Sequence, residues 1–177
     1  MEELYNLATE IGTLLLDREL TLGLAESCTG GLLAAAITEI PGSSRYFNGS
    51  IVAYYNKVKK KVLKVPGPCL HKFGAVSAET AAAMARGARK ATTAKIGLSI
   101  TGIAGPSGGT KDKPIGLVYV GLDARKVKIV RQFNFSGTRQ EIRQAACIKA
   151  LELLREFLQK IVSTDCNHNR IIQRKSD

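Results

Sequence analysis

Tryptophan is absent from this chain, and histidine occurs only twice, at His71 and His168. The four cysteines, Cys28, Cys69, Cys147 and Cys166, show no paired spacing. Zinc sites draw on closely spaced Cys and His ligands, so no metal is expected. Scattered cysteines also provide no disulfide framework, and the thiols read as reduced and inert in a cytoplasmic chain. No apolar run is long enough to span a bilayer. The opening Met1-Glu2-Glu3 is acidic, with no signal-peptide pattern after it. Aromatic residues make up only 6% of the chain and none interleaves with the basic runs, which removes the stacking platform that single-stranded nucleic acid uses.

What is present is the composition of one globular domain with a real core: 177 residues, 45% hydrophobic and 23% charged. The domain is expected over residues 1–164, with a polar, frayed tail over 165–177. The formal net charge is +11, a balance that suits an anionic partner. The cations concentrate only at Lys57, Lys59, Lys60, Lys61 and Lys64 and in the tail at Arg170, Arg174 and Lys175. An anionic small molecule accounts for the charge as well as nucleic acid does, and charge alone is a weak argument for nucleic acid.

Leu4, Leu7, Ala8, Ile11, Leu14 and Leu15 recur at helical spacing and predict an amphipathic helix over 3–17. Thr21 to Ala25 reads as a short buried strand, and Gly30-Gly31 opens a second helix that closes near Pro41-Gly42. Ser50 to Tyr55 is β-branched and aromatic, a second strand, after which Asn56 is the expected N-cap of a lysine-rich helix. Ser77 caps a further helix, and Ile96 to Ile100 forms a third strand. Gly116 to Leu122 and Lys126 to Phe133 predict a hairpin turning at Asp123-Ala124-Arg125. Thr138 and Glu141 form a capping box for the last long helix. The expected fold is α/β: a three-layer α/β/α sandwich around a mixed, largely parallel sheet.

Three polar or glycine-rich stretches follow the strand-like runs, where α/β proteins place ligands. Ser27 stands between a strand and a helix N-terminus, where free N–H groups suit an anion or a developing oxyanion; its plainer role is an N-cap. Gly30 and Gly31 permit close approach of a ligand to the backbone. No Gly-x-Ser-x-Gly elbow is present, and two histidines supply no convincing base for a Ser-His-Asp triad. Lys59 falls in the first turn of the helix capped by Asn56, where the dipole disfavours its charged form; burial would make it a base, and exposure would leave it a solvated lysine. Tyr54 is placed to steer the proton or is simply an aromatic at the core edge. Ser43 and Ser44 follow Pro41-Gly42 in a turn, and a serine within reach of Lys59 completes a serine–lysine pair. The loop Thr101 to Gly109 carries four glycines; it is an anion nest or a flexible loop, without a Walker or Gly-x-Gly-x-x-Gly pattern. Arg139 and Arg143 place two cations at the unfavourable end of a helix dipole, a misfit that an anionic ligand resolves and a bare basic patch does not.

Taken together, Ala25-Glu26-Ser27-Cys28-Thr29-Gly30-Gly31, Pro41-Gly42-Ser43-Ser44, the Tyr54/Asn56/Lys59 spacing, Gly74-Ala75-Val76-Ser77, Thr101-Gly102-Ile103-Ala104-Gly105-Pro106, Lys113 to Val118 and Gly137 with Arg139 resemble the CinA carboxy-terminal domain family, specifically its stand-alone PncC-type nicotinamide-nucleotide amidases. The resemblance runs from the first helix to Leu158. It implies hydrolysis of the carboxamide of nicotinamide mononucleotide to nicotinate mononucleotide and ammonia, a pyridine-nucleotide (NAD) recycling reaction needing no cofactor. It implies catalytic roles for Ser44 and Lys59 with Tyr54 beside them, and Ser27 as a second active-site serine. Glu26, Thr29, Gly30, Gly31, Asn56, Thr101, Gly102, Ala104, Gly105 and the arginines Arg139 and Arg143 are the implied substrate contacts. A homo-oligomer is implied too. Tyr55 stands where a serine is usual, Ser107 where a glycine is usual, and Thr138 where an acidic or amide residue is common.

In the expected mechanism neutral Lys59, with Tyr54, takes the proton of Ser44, and the turn from Ser27 to Gly31 stabilises the oxyanion. Two alternatives stand beside it: a non-catalytic competence- or DNA-damage-related module that binds a partner or nucleic acid, and a hydrolase acting on a different amide.

Overall fold

A computed structural model describes the backbone of residues 2–172 and the side chains of residues 2–161. The chain forms one five-stranded sheet in the order β2-β1-β3-β4-β5, with β1 Leu22–Glu26, β2 Phe47–Val52, β3 Ile96–Gly102, β4 Leu117–Ala124 and β5 Val127–Asn134. β1 runs parallel to both neighbours, while β3/β4 and β4/β5 are antiparallel. The sheet is therefore mixed, as expected from the hairpin.

Strand alternation divides the sheet into two unlike faces. Leu22, Leu24, Ile96, Leu98, Ile100, Val118, Val120 and Leu122 form one face, packed against α1 Glu2–Asp17, α2 Leu32–Thr38 and α6 Arg139–Ile172. α1 lies there because Leu4, Leu7, Ala8, Ile11 and Leu15 align on one stripe and are all buried. The opposite face carries small residues, Gly23, Gly97, Ser99 and Gly121. α5 Ala78–Ala91 settles directly on it: the Ser99 hydroxyl donates to Ala81 O at 2.7 Å, and a Cβ at Gly97 would collide with Ala85 O. The short helices α3 Asn56–Lys61 and α4 Gly67–Phe73 complete this layer.

Several boundaries differ from expectation for identifiable reasons. β2 runs from Phe47 to Val52 rather than from Ser50 to Tyr55: Leu22 pairs Phe47 while Gly23 pairs Gly49, so Asn48 is an extra, bulged residue that interrupts the alternation at the start of the strand. The N-cap of α3 is Tyr55, not Asn56, which is its first helical residue. α4 is absent from the sequence reading because Pro66-Gly67-Pro68 signals a loop; proline is also tolerated in the first helical turn. Ser77 does cap α5, accepting from Thr80 N. Thr138 and Glu141 do form the capping box, with Thr138 N donating to Glu141 Oε2 at 2.7 Å. α6 continues to Ile172, beyond Thr164 where fraying was expected; residues 173–177 lie outside the described residues.

Candidate active site

From β1 the chain passes through α2 to β2 on one side, and from β2 through α3–α5 to β3 on the other. The reversal opens a crevice between the carboxyl ends of β1 and β3, the position where open α/β sheets bind ligands. Ser27 follows β1 directly and Thr101 lies at the end of β3; the Ser27 N–H donates to Ile100 O at 3.0 Å and ties the two ends together.

Lys59 projects from α3 into this crevice and is only 1% exposed. Its Nζ lies 3.0 Å from Ser27 Oγ, 2.6 Å from Ala53 O and 3.3 Å from Tyr54 O. Burial lowers its pKa from 10.5 to about 8, opposed by the neighbouring Cys28. Burial also pushes the Cys28 thiol up to about 11, so that sulfur stays protonated at neutral pH. A neutral amine has two N–H groups and one lone pair. As an ammonium Nζ donates to Ser27 Oγ and to both carbonyls; once neutral, it keeps its two N–H groups on the carbonyls and turns its lone pair to the serine hydroxyl, the arrangement of a base beside a nucleophile.

The Ser44–Lys59 contact expected from sequence is not made. Ser44 sits, exposed, in the short 3-10 turn Ser43–Arg45 before β2, whereas Lys59 follows the opposite end of that strand. A six-residue strand spans roughly 20 Å, too far for the two side chains to communicate within one chain. Tyr54 is 59% exposed, and its hydroxyl accepts from Arg139 Nη2 at 2.9 Å rather than facing the Lys59 amine.

Glu26 is not available to a ligand. It is fully buried, and its carboxylate accepts from the N–H groups of Gly31, Leu33 and Ala34 and lies 3.3 Å from the Ser50 hydroxyl. It caps α2 from the preceding strand, so the free amide donors expected at that helix start are mostly spent. Among the described residues, the amides of Cys28 and Thr29 are the ones in residues 27–34 that donate to no oxygen. Gly30 and Gly31 take positive φ, +60° and +95°, which lets the turn fold back over Ser27.

The other expected contacts divide between site and scaffold. Thr101 is buried and donates its hydroxyl to Ala75 O at 2.7 Å. Gly102 still pairs in β3/β4, Ala104 is buried, and Gly105 offers its carbonyl to Arg139 Nη1 at 2.6 Å. Asn56 is exposed at the start of α3, and Thr29 Oγ1 is buried without a partner. Arg139 is exposed, while Arg143 is half-buried and donates Nε and Nη2 to Thr29 O at 3.2 and 2.7 Å. Lys113, which carried no role in the sequence reading, donates to Phe73 O and Val76 O and holds the α4–α5 connection against the glycine loop. Its only signal was its place in the Lys113–Val118 motif.

Among the described residues, no helix is long and apolar enough to cross a membrane, and no cluster of three or more His, Cys, Asp or Glu could hold a metal ion.

These elements define a three-layer α/β domain whose buried amine meets a serine at the strand switch point. Residues 4–158 match the CinA C-terminal domain, and the chain belongs to that family. A CinA-like protein of Endomicrobium trichonymphae is 53% identical over 152 residues, 86% of this chain and 36% of that protein. A putative competence-damage inducible protein of Halothermothrix orenii is 51% identical over 158 residues, 89% of this chain and 38% of that protein. The chain thus spans little more than a third of the length of these curated relatives. The crystal structure of the competence/damage inducible protein CihA from Agrobacterium tumefaciens superposes with a TM-score of 0.86 at 41% identity, covering 89% of this chain and 96% of that one.

Proposed function

We propose that this chain is an amidohydrolase that deamidates nicotinamide mononucleotide to nicotinate mononucleotide and ammonia, with Ser27 as nucleophile and Lys59 as base. The observation that carries the reading is the Lys59 amine, buried, lowered to about 8 and 3.0 Å from the Ser27 hydroxyl. At pH 7.5 about a quarter of such amines are neutral, against about one in a thousand for an ordinary lysine.

Neutral Lys59 takes the Ser27 proton as Oγ bonds to the carboxamide carbon. The amides of Cys28 and Thr29 receive the resulting oxyanion. The Lys59 ammonium then protonates the amide nitrogen, the C–N bond breaks and ammonia leaves. Water, deprotonated by the again neutral Lys59, attacks the acyl-serine; the Lys59 ammonium returns that proton to Ser27 Oγ as the ester C–O bond breaks and the acid leaves. Arg139 meets the phosphate: its present acceptors, a carbonyl and a phenol, are neutral and give way to an anion. The substrate phosphate is the natural counterpart to this exposed guanidinium.

The test is ammonia release by purified protein from nicotinamide mononucleotide and from the phosphate-free riboside. We expect turnover of the nucleotide, with KM for the riboside raised about tenfold or more by loss of a charge-assisted contact. No turnover by folded protein ends the amidase reading. Equal KM values end the assignment of Arg139 to phosphate and favour a different amide substrate.

A second reading, polyanion binding, is favoured by the distribution of charge. Residues 56–91 hold nine of the 26 cations and only one of the 15 acidic residues, Glu79. Exposed Lys64, Arg86 and Lys90 line a groove of about 410 Å³ beside Lys60 and Lys61 and pair with no carboxylate among the described residues. If this face binds nucleic acid, log K against log salt has a slope of about −3 to −5, and the slope shrinks in an Arg86→Glu/Lys90→Glu double variant. Absence of binding to single- and double-stranded DNA and RNA at low salt ends this reading.

A further inference from the structure

The Thr29–Gly30 peptide is pinned at both ends. Its N–H, on Gly30, donates to Ser27 O at 3.1 Å, closing the turn that carries the amides of Cys28 and Thr29. Its C=O, on Thr29, receives both Nε and Nη2 of Arg143, at 3.2 and 2.7 Å, and the Leu32 N–H at 3.2 Å. Two glycines with positive φ follow, so rotation of this peptide meets little steric resistance from side chains. Glu26 fixes the far end of the segment through the amides of Gly31, Leu33 and Ala34. The peptide between these anchors is held by the Leu32 amide from within its own turn and, with the only side-chain contact among the described residues and the shortest one, by Arg143 reaching across from α6.

That arginine is an odd choice for mere packing. It is half-buried, and no carboxylate pairs with it among the described residues. It stands in the first turns of α6, where the dipole disfavours a cation. Arg139, one turn earlier, is exposed and bonded to groups an anion can displace; Arg143 is committed to a backbone carbonyl beneath the serine. The two arginines therefore have different work.

We infer that Arg143 is a positioning residue: it locks the Thr29–Gly30 peptide so that the amides of Cys28 and Thr29 stay aimed at the anion that forms when Ser27 attacks. Because it rests on the amidase reading, the inference needs a readout that does not depend on the amide. A fluorophosphonate that labels an activated serine supplies one, since its adduct also places an oxygen where the oxyanion forms.

Arg143→Met, Arg143→Lys and Arg139→Gln are compared with the wild type in ammonia release and in the second-order rate of Ser27 labelling, with thermal unfolding recorded for each. For Arg143→Met we expect kcat to fall about a hundredfold with KM within about threefold, since misplacement of about 1 Å costs that much. Labelling should slow by a similar factor. Arg143→Lys, which keeps one donor, should recover part of both rates. Arg139→Gln should raise KM for the nucleotide and leave labelling unchanged. If Arg143→Met labels at the wild-type rate, or raises KM with kcat intact, Arg143 is a substrate ligand or a packing residue and the inference is overturned. A wild type that labels at Ser27 but releases no ammonia defeats the amidase reading while the labelling series still decides the role of Arg143.

Discussion

Ser27→Ala and Lys59→Ala are each expected to lower kcat/KM for nicotinamide mononucleotide by about a thousandfold or more, whereas Ser44→Ala should leave it within about twofold. The asymmetry follows from position. Ser27 and Lys59 meet at the crevice between β1 and β3, and Ser44 lies beyond the far end of β2. The double variant Ser27→Ala/Lys59→Ala should be little worse than either single one, because a nucleophile and its base act as a unit. The pH profile gives an independent check. Lys59 must be neutral to accept the proton, so kcat/KM should climb about tenfold per unit below pH 8 and level off above it. A profile flat from pH 6 to 9, or a Ser44→Ala variant as dead as Ser27→Ala, would remove the proposed base and nucleophile together.

The layering was readable from the chain because periodicity reports burial. The 3- and 4-residue spacing of Leu4 to Leu15 and the continuous apolar runs of β1 and β3 both record contact with the same core. The capping signals at Ser77 and Thr138 are local chemistry and were legible for that reason. What escaped depends on the third dimension. Glu26 in its motif looks like a ligand-facing carboxylate, and only the fold-back of α2 onto the end of β1 turns it into a cap for three amides. Ser27 and Ser44 are equally plausible partners for Lys59 in one dimension. The parallel β1/β2 pairing separates them, since it puts the residues after β2 beside the end of β1 and the residues before β2 at the opposite end of the strands. The roles of Arg139 and Arg143 were likewise indistinguishable four residues apart on one helix. They differ because one reaches the glycine loop and the other the serine turn.

Lys59→Met should abolish catalysis and yet yield a more stable protein at pH 7, by about 1–2 kcal/mol or roughly 3–6 °C in Tm. The folded state holds this amine at a pKa of about 8, against 10.5 when unfolded. Below pH 8 both states are protonated, and folding carries the full cost of burying the cation, about 3 kcal/mol for a shift of this size. Between pH 8 and 10.5 the unfolded chain binds the proton that the folded one has released, so wild-type stability rises with pH in that window. Above 10.5 the cost is gone. Methionine keeps the unbranched stem but leaves the carbonyls of Ala53 and Tyr54 without their donor, which is why the net gain falls short of the full cost. Cys28 titrates in the same range with the opposite sign, its folded pKa of about 11 lying above 9.0, so its contribution is lost as pH rises. In a Cys28→Ala background, which removes that thiol and its coupling to Lys59, the difference between the urea unfolding free energies of the two chains, measured from pH 7 to 10.5, isolates the lysine. The gap should close and then reverse as pH rises, because the wild type regains about 3 kcal/mol by pH 10.5, more than the variant's lead at pH 7. A gap that is constant with pH, or a variant less stable than wild type at pH 7, would mean that burial does not lower the pKa of this amine and that it is not poised as a base.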